Sequence, residues 1–191
     1  MTQMLRADAQ DNRDRILTTA RTLFSERGLD VGMREVARRA EVGPATLYRR
    51  FPTKQALIDE AFDIELAACR TIVEEGCADP DPWHGFTTVI ERLTALNVRN
   101  HGFVDAFLSV GPGAAVFAQH RRELLGMLGG LAARAKRRGR LRPDFTIDDL
   151  VLVLLAGRGL ASVSAPSRDA AARRFATLAV DALRAERDAT P

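Results

Sequence analysis

Cysteine is scarce in this chain, with two residues, Cys69 and Cys77, among 191. They stand eight positions apart within one helical pattern, which suits neither a disulfide scaffold nor a zinc site. A reducing cytoplasm is the natural compartment for such a chain. Histidine is also sparse: His84, His101 and His120 are scattered without metal-ligand spacing, so no metal is expected. Strand signals are nearly absent. The longest apolar run, residues 150–156, is far too short to span a bilayer, and Asp8 and Asp11 stand where an export signal needs an apolar core. No membrane partner follows from this pattern. The chain also lacks a nucleophile elbow, a P-loop and a dinucleotide fingerprint. Convergent titratable groups are missing too, so no catalytic residue and no cofactor is expected.

What remains is a composition of 46% hydrophobic and 28% charged residues, enough for a full core in one or two domains. The net charge of +3 is unevenly spread. Residues 1–55 hold 11 basic residues against seven acidic ones, which leaves the remainder slightly acidic. The excess favours a polyanionic partner for the first third of the chain.

Helical periodicity recurs throughout, punctuated by Gly, Pro and Asp. The fold expected is all-α with about nine helices. The first spans about 12–27, with Ile16, Leu17, Ala20, Leu23 and Phe24 as its apolar stripe and Gly28 as a C-terminal stop. The second spans about 33–40 and buries Val36, Ala37 and Ala40. The third spans about 44–51, with Pro44 at its first position, where a missing N–H costs little. A fourth opens at Thr53, a good N-cap, and runs to about residue 75, before a break over 76–82. Later helices are expected at about 83–100, 114–138, 146–163 and 168–187, with a short apolar piece at 103–110 and a loop at 111–113. Asp81-Pro82 caps one of these, and Thr146 with Asp149 opens another in capping-box fashion. Residues 1–10 and 185–191 read as frayed ends. The domain boundary is expected inside the fourth helix, near residues 61–65.

Residues 32–54, GMREVARRAEVGPATLYRRFPTK, read as two short helices joined by a tight turn, the build of a helix-turn-helix. The motifs Ile16-Leu17…Ala20…Leu23-Phe24…Gly28, Val36-Ala37…Ala40-Glu-Val42 and Thr46-Leu-Tyr48…Phe51-Pro-Thr-Lys54…Leu57 resemble the DNA-binding domain of the TetR family of bacterial transcriptional regulators. The stretch from Arg138 to Asp144 is similar to the family's later part. The Asp81-Pro-Trp83 start resembles that of its SbtR-like subgroup. The resemblance implies a DNA-binding domain over 11–62 and a ligand-binding and dimerisation domain over 63–187. It also implies a homodimer on a double-stranded DNA operator, with repression relieved by a small-molecule effector. An activator, a regulator answering to a protein partner, and a small helical enzyme or carrier are the alternatives. One departure stands out: Gly32 occupies a place where many family members carry a threonine or serine, so a phosphate contact made by that hydroxyl is absent here.

Arg34 falls where the family often points an arginine at a base; a guanidinium can bond guanine O6 and N7 together, and a phosphate contact or a free surface position is the alternative. Gly43, Pro44 and Ala45 open the recognition helix and offer only thymine-methyl or backbone proximity. Thr46 bonds either DNA or its own helix backbone. Tyr48, the only tyrosine, offers its hydroxyl to a phosphate, or else is a core aromatic with an exposed tip. Arg49 and Arg50 add charge, and Thr53 and Lys54 begin the next helix, whose N-terminus helps to hold a phosphate. Leu47 and Phe51 are core. Arg38 and Arg39 are read as solvated or distant from DNA, and Arg6 and Arg13 as a tail.

In the second half, Trp83, Phe86, Phe103, Phe107, Phe117 and Met127 either line an effector pocket or simply form a core. Arg158 lies inside an apolar run between Gly157 and Gly159. It is expected to meet a carboxylate across an interface, an anionic ligand group, or solvent. Leu150, Val153, Leu154, Arg158, Phe175, Leu178 and Leu183 are the candidate dimer seam.

Overall fold

The computed structural model describes residues 2–109 and 114–185, with side chains from residue 10 onward except those of residues 101, 161 and 165. Ten α-helices fill the described residues: α1 (Thr2–Arg27), α2 (Met33–Arg39), α3 (Pro44–Arg50), α4 (Lys54–Ala61), α5 (Asp63–Ala78), α6 (Pro82–Arg99), α7 (His101–Leu108), α8 (Ala115–Arg137), α9 (Ile147–Gly157) and α10 (Ala165–Leu183). A 3-10 segment, Arg158–Ser162, follows α9. The only β feature among these residues is an isolated antiparallel bridge, Leu141 to Arg184. None of the described helices is long and apolar enough to cross a membrane.

The extra helix arises because the expected fourth helix is two. Phe62 leaves helical geometry, with φ −106° and ψ 14°. Its ring is fully buried, 6.1 Å from that of Phe24 and 5.9 Å from that of Phe103. Burying a ring of that size stabilises by about 1.5–3 kcal/mol, more than one interrupted helical hydrogen bond costs. Other boundaries also move. The first helix reaches back to Thr2, since residues 2–11 are good helix formers without Gly or Pro. Gly76 does not break α5, which continues to Ala78. The last helix starts three residues early because Pro166 fits its first turn. The loop at 111–113, the tail beyond residue 185 and the side chains of Arg6 and His101 lie outside the described residues.

Two compact units divide the chain. The first is residues up to Glu65 together with Asn100–Ala118, so it takes in α7, which the sequence alone places with the second half. The reason is packing: Gly102 lies so close to α1 that a Cβ there would stand 2.3 Å from the Phe24 carbonyl oxygen. The apolar stripe Ile16, Ala20, Leu23 and Phe24 is buried, as are Val36, Ala37, Leu47, Leu57 and Phe103 of the same unit. The second unit is Leu66–Arg99 with the chain from Gln119 onward. There α6 buries Trp83, Phe86, Val89, Ile90 and Leu93. Asp81 Oδ1 caps α6, accepting from the Trp83 and His84 amides at 2.9 and 3.3 Å. The Thr146 amide donates to Asp149 Oδ2 at 2.7 Å, as the capping-box pattern predicts.

Candidate nucleic-acid interface

The turn between α2 and α3 closes by backbone alone. The Val42 amide donates to the Ala37 carbonyl at 3.0 Å and the Glu41 amide to that of Arg38 at 3.3 Å, the double bond of a Schellman stop. Glu41 takes the left-handed conformation, φ 54°, that such a stop usually gives to glycine. The sequence reading missed this residue. No residue type in EVARRAEV marks the stop, because glycine is missing from it. Gly32 precedes α2 with no side-chain cap, in keeping with its lack of a hydroxyl.

Helix α3 is seven residues long, and its only buried residue is Leu47, with fully buried Phe51 just past its end. Two anchors therefore hold it. Gly43, Pro44, Ala45, Tyr48, Arg49 and Arg50 are exposed, and Thr46 is half-buried. Tyr48 keeps 46% of its surface exposed, so it is not a core aromatic. The Thr53 hydroxyl accepts from the Ala56 amide at 3.1 Å, which starts α4 and sets Lys54 in its first turn. Thr53 is thus first a cap, and only its O–H is left for another partner.

Charge on this face is sorted by Glu35. Its carboxylate accepts from Arg38 at 2.7 and 2.9 Å and from Arg27 at 3.4 Å. Arg38 chiefly, helped by Arg27, holds the Glu35 carboxyl below the usual carboxylate range, though burial opposes them. Arg38 is therefore both exposed and paired with Glu35. Arg13 is not part of a tail: it belongs to α1 and pairs with Glu60 of α4. Arg21 braces the same side through the Ala61 carbonyl at 2.8 Å and Glu65 at 3.6 Å. Burial pushes the Glu65 carboxyl up, and Arg21 only partly offsets that. Exposed Arg34 and Arg49, half-buried Lys54 and the Tyr48 hydroxyl make no hydrogen bond or ion pair with a described residue. Donors without acceptors, spread over α2, α3 and the start of α4, are what a phosphate backbone would satisfy.

The residues singled out in the second half are dispersed. Phe103, Phe107 and Phe117 join Phe24 and Phe62 in the first unit's aromatic core. Trp83 and Phe86 stack at 6.2 Å in the second unit, and Phe86 meets Phe145 edge-on at 5.4 Å. Met127 is half-buried on α8, and its carbonyl accepts from the Cys77 thiol at 3.6 Å. Cys69 is buried, and burial pushes its thiol up to about 12. Arg158 is half-buried rather than enclosed, because α9 ends at Gly157 and the arginine starts the 3-10 segment. Leu150 and Leu183 are buried inside the chain and cannot face a second copy, whereas Val153, Leu154 and Phe175 are half-buried. Leu178 is 51% exposed. Leu152, which the sequence reading did not single out, is 63% exposed. It stands one helical turn from Asp148 and from Ala156, on the outer stripe of a helix that is apolar nearly all round.

Comparison with known proteins adds to this geometry. Residues 16–61 match the pattern described as bacterial regulatory proteins, tetR family, and residues 81–185 match the transcriptional regulator SbtR-like C-terminal domain. A TetR transcriptional regulator from Streptomyces coelicolor is 32% identical, covering 92% of this chain and 99% of that one, with a TM-score of 0.56. A TetR regulatory protein from Mycobacterium vanbaalenii is 31% identical over 94% of this chain and 99% of its own, with a TM-score of 0.54. The HTH-type transcriptional regulator UidR of Escherichia coli K12 is 39% identical over 59 residues, 30% of each chain. The match thus spans less than a third of that curated relative.

Proposed function

The chain belongs to the TetR family of bacterial transcriptional regulators, and from that premise we propose that it is a homodimeric repressor released from its operator by a small molecule. The observation that carries the DNA half of this reading is the outward face of α3, where Tyr48 and Arg49 have no partner among the described residues while Leu47 and Phe51 hold the helix from behind. A seven-residue helix held at two points offers its exposed side chains to a groove without distorting its own core. Arg34 reads a base edge; Tyr48, Arg49, Arg50 and Lys54 grip phosphates; Gly43, Pro44 and Ala45 let the backbone come near the groove floor.

Exposed Leu152 and Leu178, with half-buried Val153, Leu154 and Phe175, support pairing of two copies through α9 and α10. Two-fold symmetry then makes the operator a near-palindrome, with half-site centres about 34–36 Å apart. An effector releases the DNA only by binding a non-matching state of the dimer more tightly than the matching one.

The test is a salt titration of binding to duplex DNA selected from a random pool. The reading expects affinity to fall steeply and linearly on logarithmic axes as salt rises. A folded protein that ignores every duplex at low salt rejects it.

A further inference from the structure

The second unit carries a groove that DNA recognition does not use. It runs beside α8, walled by Cys77 near the end of α5 and by Pro80 and Pro82 at the start of α6. One part, of about 460 Å³, is lined by Cys77, Met127, Gly130, Leu131 and Ala133. A second part, of about 260 Å³, is lined by Pro80, Pro82 and Arg138. Arg134 and Arg137 border both, so the two parts adjoin. Both parts are open to solvent on one side.

The lining changes character along the helix. Its Met127 end is apolar, and its space comes from Gly130, where a Cβ would meet nothing within 4 Å. The other end sets Arg134, Arg137 and Arg138 against Pro80 and Pro82. Arg134 is fixed there: Nη2 donates to the Cys77 carbonyl at 2.5 Å, which satisfies an end of α5, while its Nε is buried without a partner. Arg137 and Arg138 are exposed and make no ion pair with a described residue. Lys136 turns away, its ammonium donating to the Pro143 and Phe145 carbonyls at 2.8 and 2.6 Å. The nearest carboxylates in sequence are committed elsewhere. Asp79 binds His84 Nδ1 at 2.6 Å and the Asp81 amide at 2.8 Å, and Asp81 caps α6. No acidic side chain lines either part.

We propose that this groove binds an anionic amphiphile, with an acyl chain along Met127, Gly130 and Ala133 and a carboxylate head between Arg137 and Arg138. Residues 127–137 span about 15 Å of helix, room for a chain of medium length. Two unpaired guanidiniums suit a carboxylate, which accepts paired N–H donors from such groups. The proposal stands on this groove alone and does not depend on DNA release.

The test uses the full chain and laurate below its micellar concentration, followed by calorimetry and by the rate at which Cys77 is alkylated. The expected result is one laurate per chain, slower alkylation of Cys77, and about tenfold weaker binding in the Arg137→Ala/Arg138→Ala variant. Gly130→Phe fills the trough from an open helix face and abolishes binding, whereas Gly130→Ala retains it; melting curves show that each variant is folded. Dodecanol binds more weakly than laurate. Wild-type protein that takes up no laurate, or laurate affinity equal in all variants, overturns the proposal. So does retention on phosphatidylglycerol vesicles without binding of monomeric laurate, which makes the patch a membrane-surface contact. Displacement of laurate by an equimolar glutamate-rich peptide makes it a docking face for acidic protein, and overturns the proposal equally.

Discussion

Arg34, Arg49 and Lys54 have no carboxylate partner among the described residues, whereas Arg70, Arg92, Arg99 and Arg142 of the second unit each lie against one. Those second-unit pairs also join elements: Arg70 of α5 reaches Glu123 of α8 at 2.5 Å, and Arg99 of α6 reaches Asp169 of α10 at 2.8 Å. These arginines of the second unit hold helices together, whereas the three cations on the DNA face point outward without a carboxylate among the described residues. The difference separates structural from recognising cations more clearly than net charge does. A basic first third is compatible with many solvated helices, but donors left without acceptors on one face are not the rule where carboxylates are close at hand. Glu35 shows the contrast on a small scale, since it occupies Arg27 and Arg38 and leaves Arg34 open.

The strongest test of this contrast concerns what pairs two copies. Leu152→Glu with Leu178→Glu is expected to give monomers by sedimentation and to weaken operator binding by about a hundredfold or more, because the second half-site is no longer tethered. If Arg99→Ala did the same, charge rather than the apolar stripe would be the glue of the second unit.

Next comes a cost confined to the second unit. A Cβ at Gly85 would lie 2.2 Å from the Gly76 carbonyl oxygen, backbone against backbone. Gly85→Ala should therefore destabilise by about 3 kcal/mol, read as a lower urea midpoint at unchanged slope.

Within the DNA face, Lys54→Ala should weaken binding to all duplexes alike and lower the salt slope by about one. Arg34→Ala should instead lose discrimination at one base pair, about 1–3 kcal/mol. Arg99→Ala should alter neither. Equal losses from all three would erase the distinction between outward and paired cations.

A smaller gain is expected at the turn. Glu41→Gly relieves a left-handed residue and should add up to about 1 kcal/mol to thermal stability, offset in part by the freer unfolded chain.

The least effect is expected at His84. Asp79 beside it raises its pKa above 6.5, and His84 in turn lowers that of Asp79. The stabilisation from His84 is complete below its ordinary value and is lost as pH rises through the raised one. The melting temperature should fall slightly from about pH 6 to about pH 8, and His84→Gln should flatten that slope. Both groups are exposed, so a steep dependence would mean that some other group is titrating.

Short-range chemistry carried most of what was readable beforehand. Gly28 takes φ 77° where a stop was expected, Thr53 caps α4, and Leu47 and Phe51 are core while Tyr48 faces out. Such features depend on residues within about one helical turn of each other, so the pattern contains them whole. Glu41 escaped notice because an αL stop without glycine leaves no mark in composition. The split at Phe62 escaped because helical periodicity runs straight through it.

Sequence by itself determined that the chain is helical, where the helix-turn-helix begins and ends, and which of its residues face away from the core. Periodicity and caps are local, and local terms decide those questions. Only the tertiary structure decided that α7 belongs with the first unit, that Gly76 and Gly85 let two helix backbones nearly touch, and that Leu150 is buried while Leu152 is not. Each of these turns on which distant surface covers a given residue. An apolar helix offers several faces that suit burial equally well, and only the neighbour that arrives settles which of them is used.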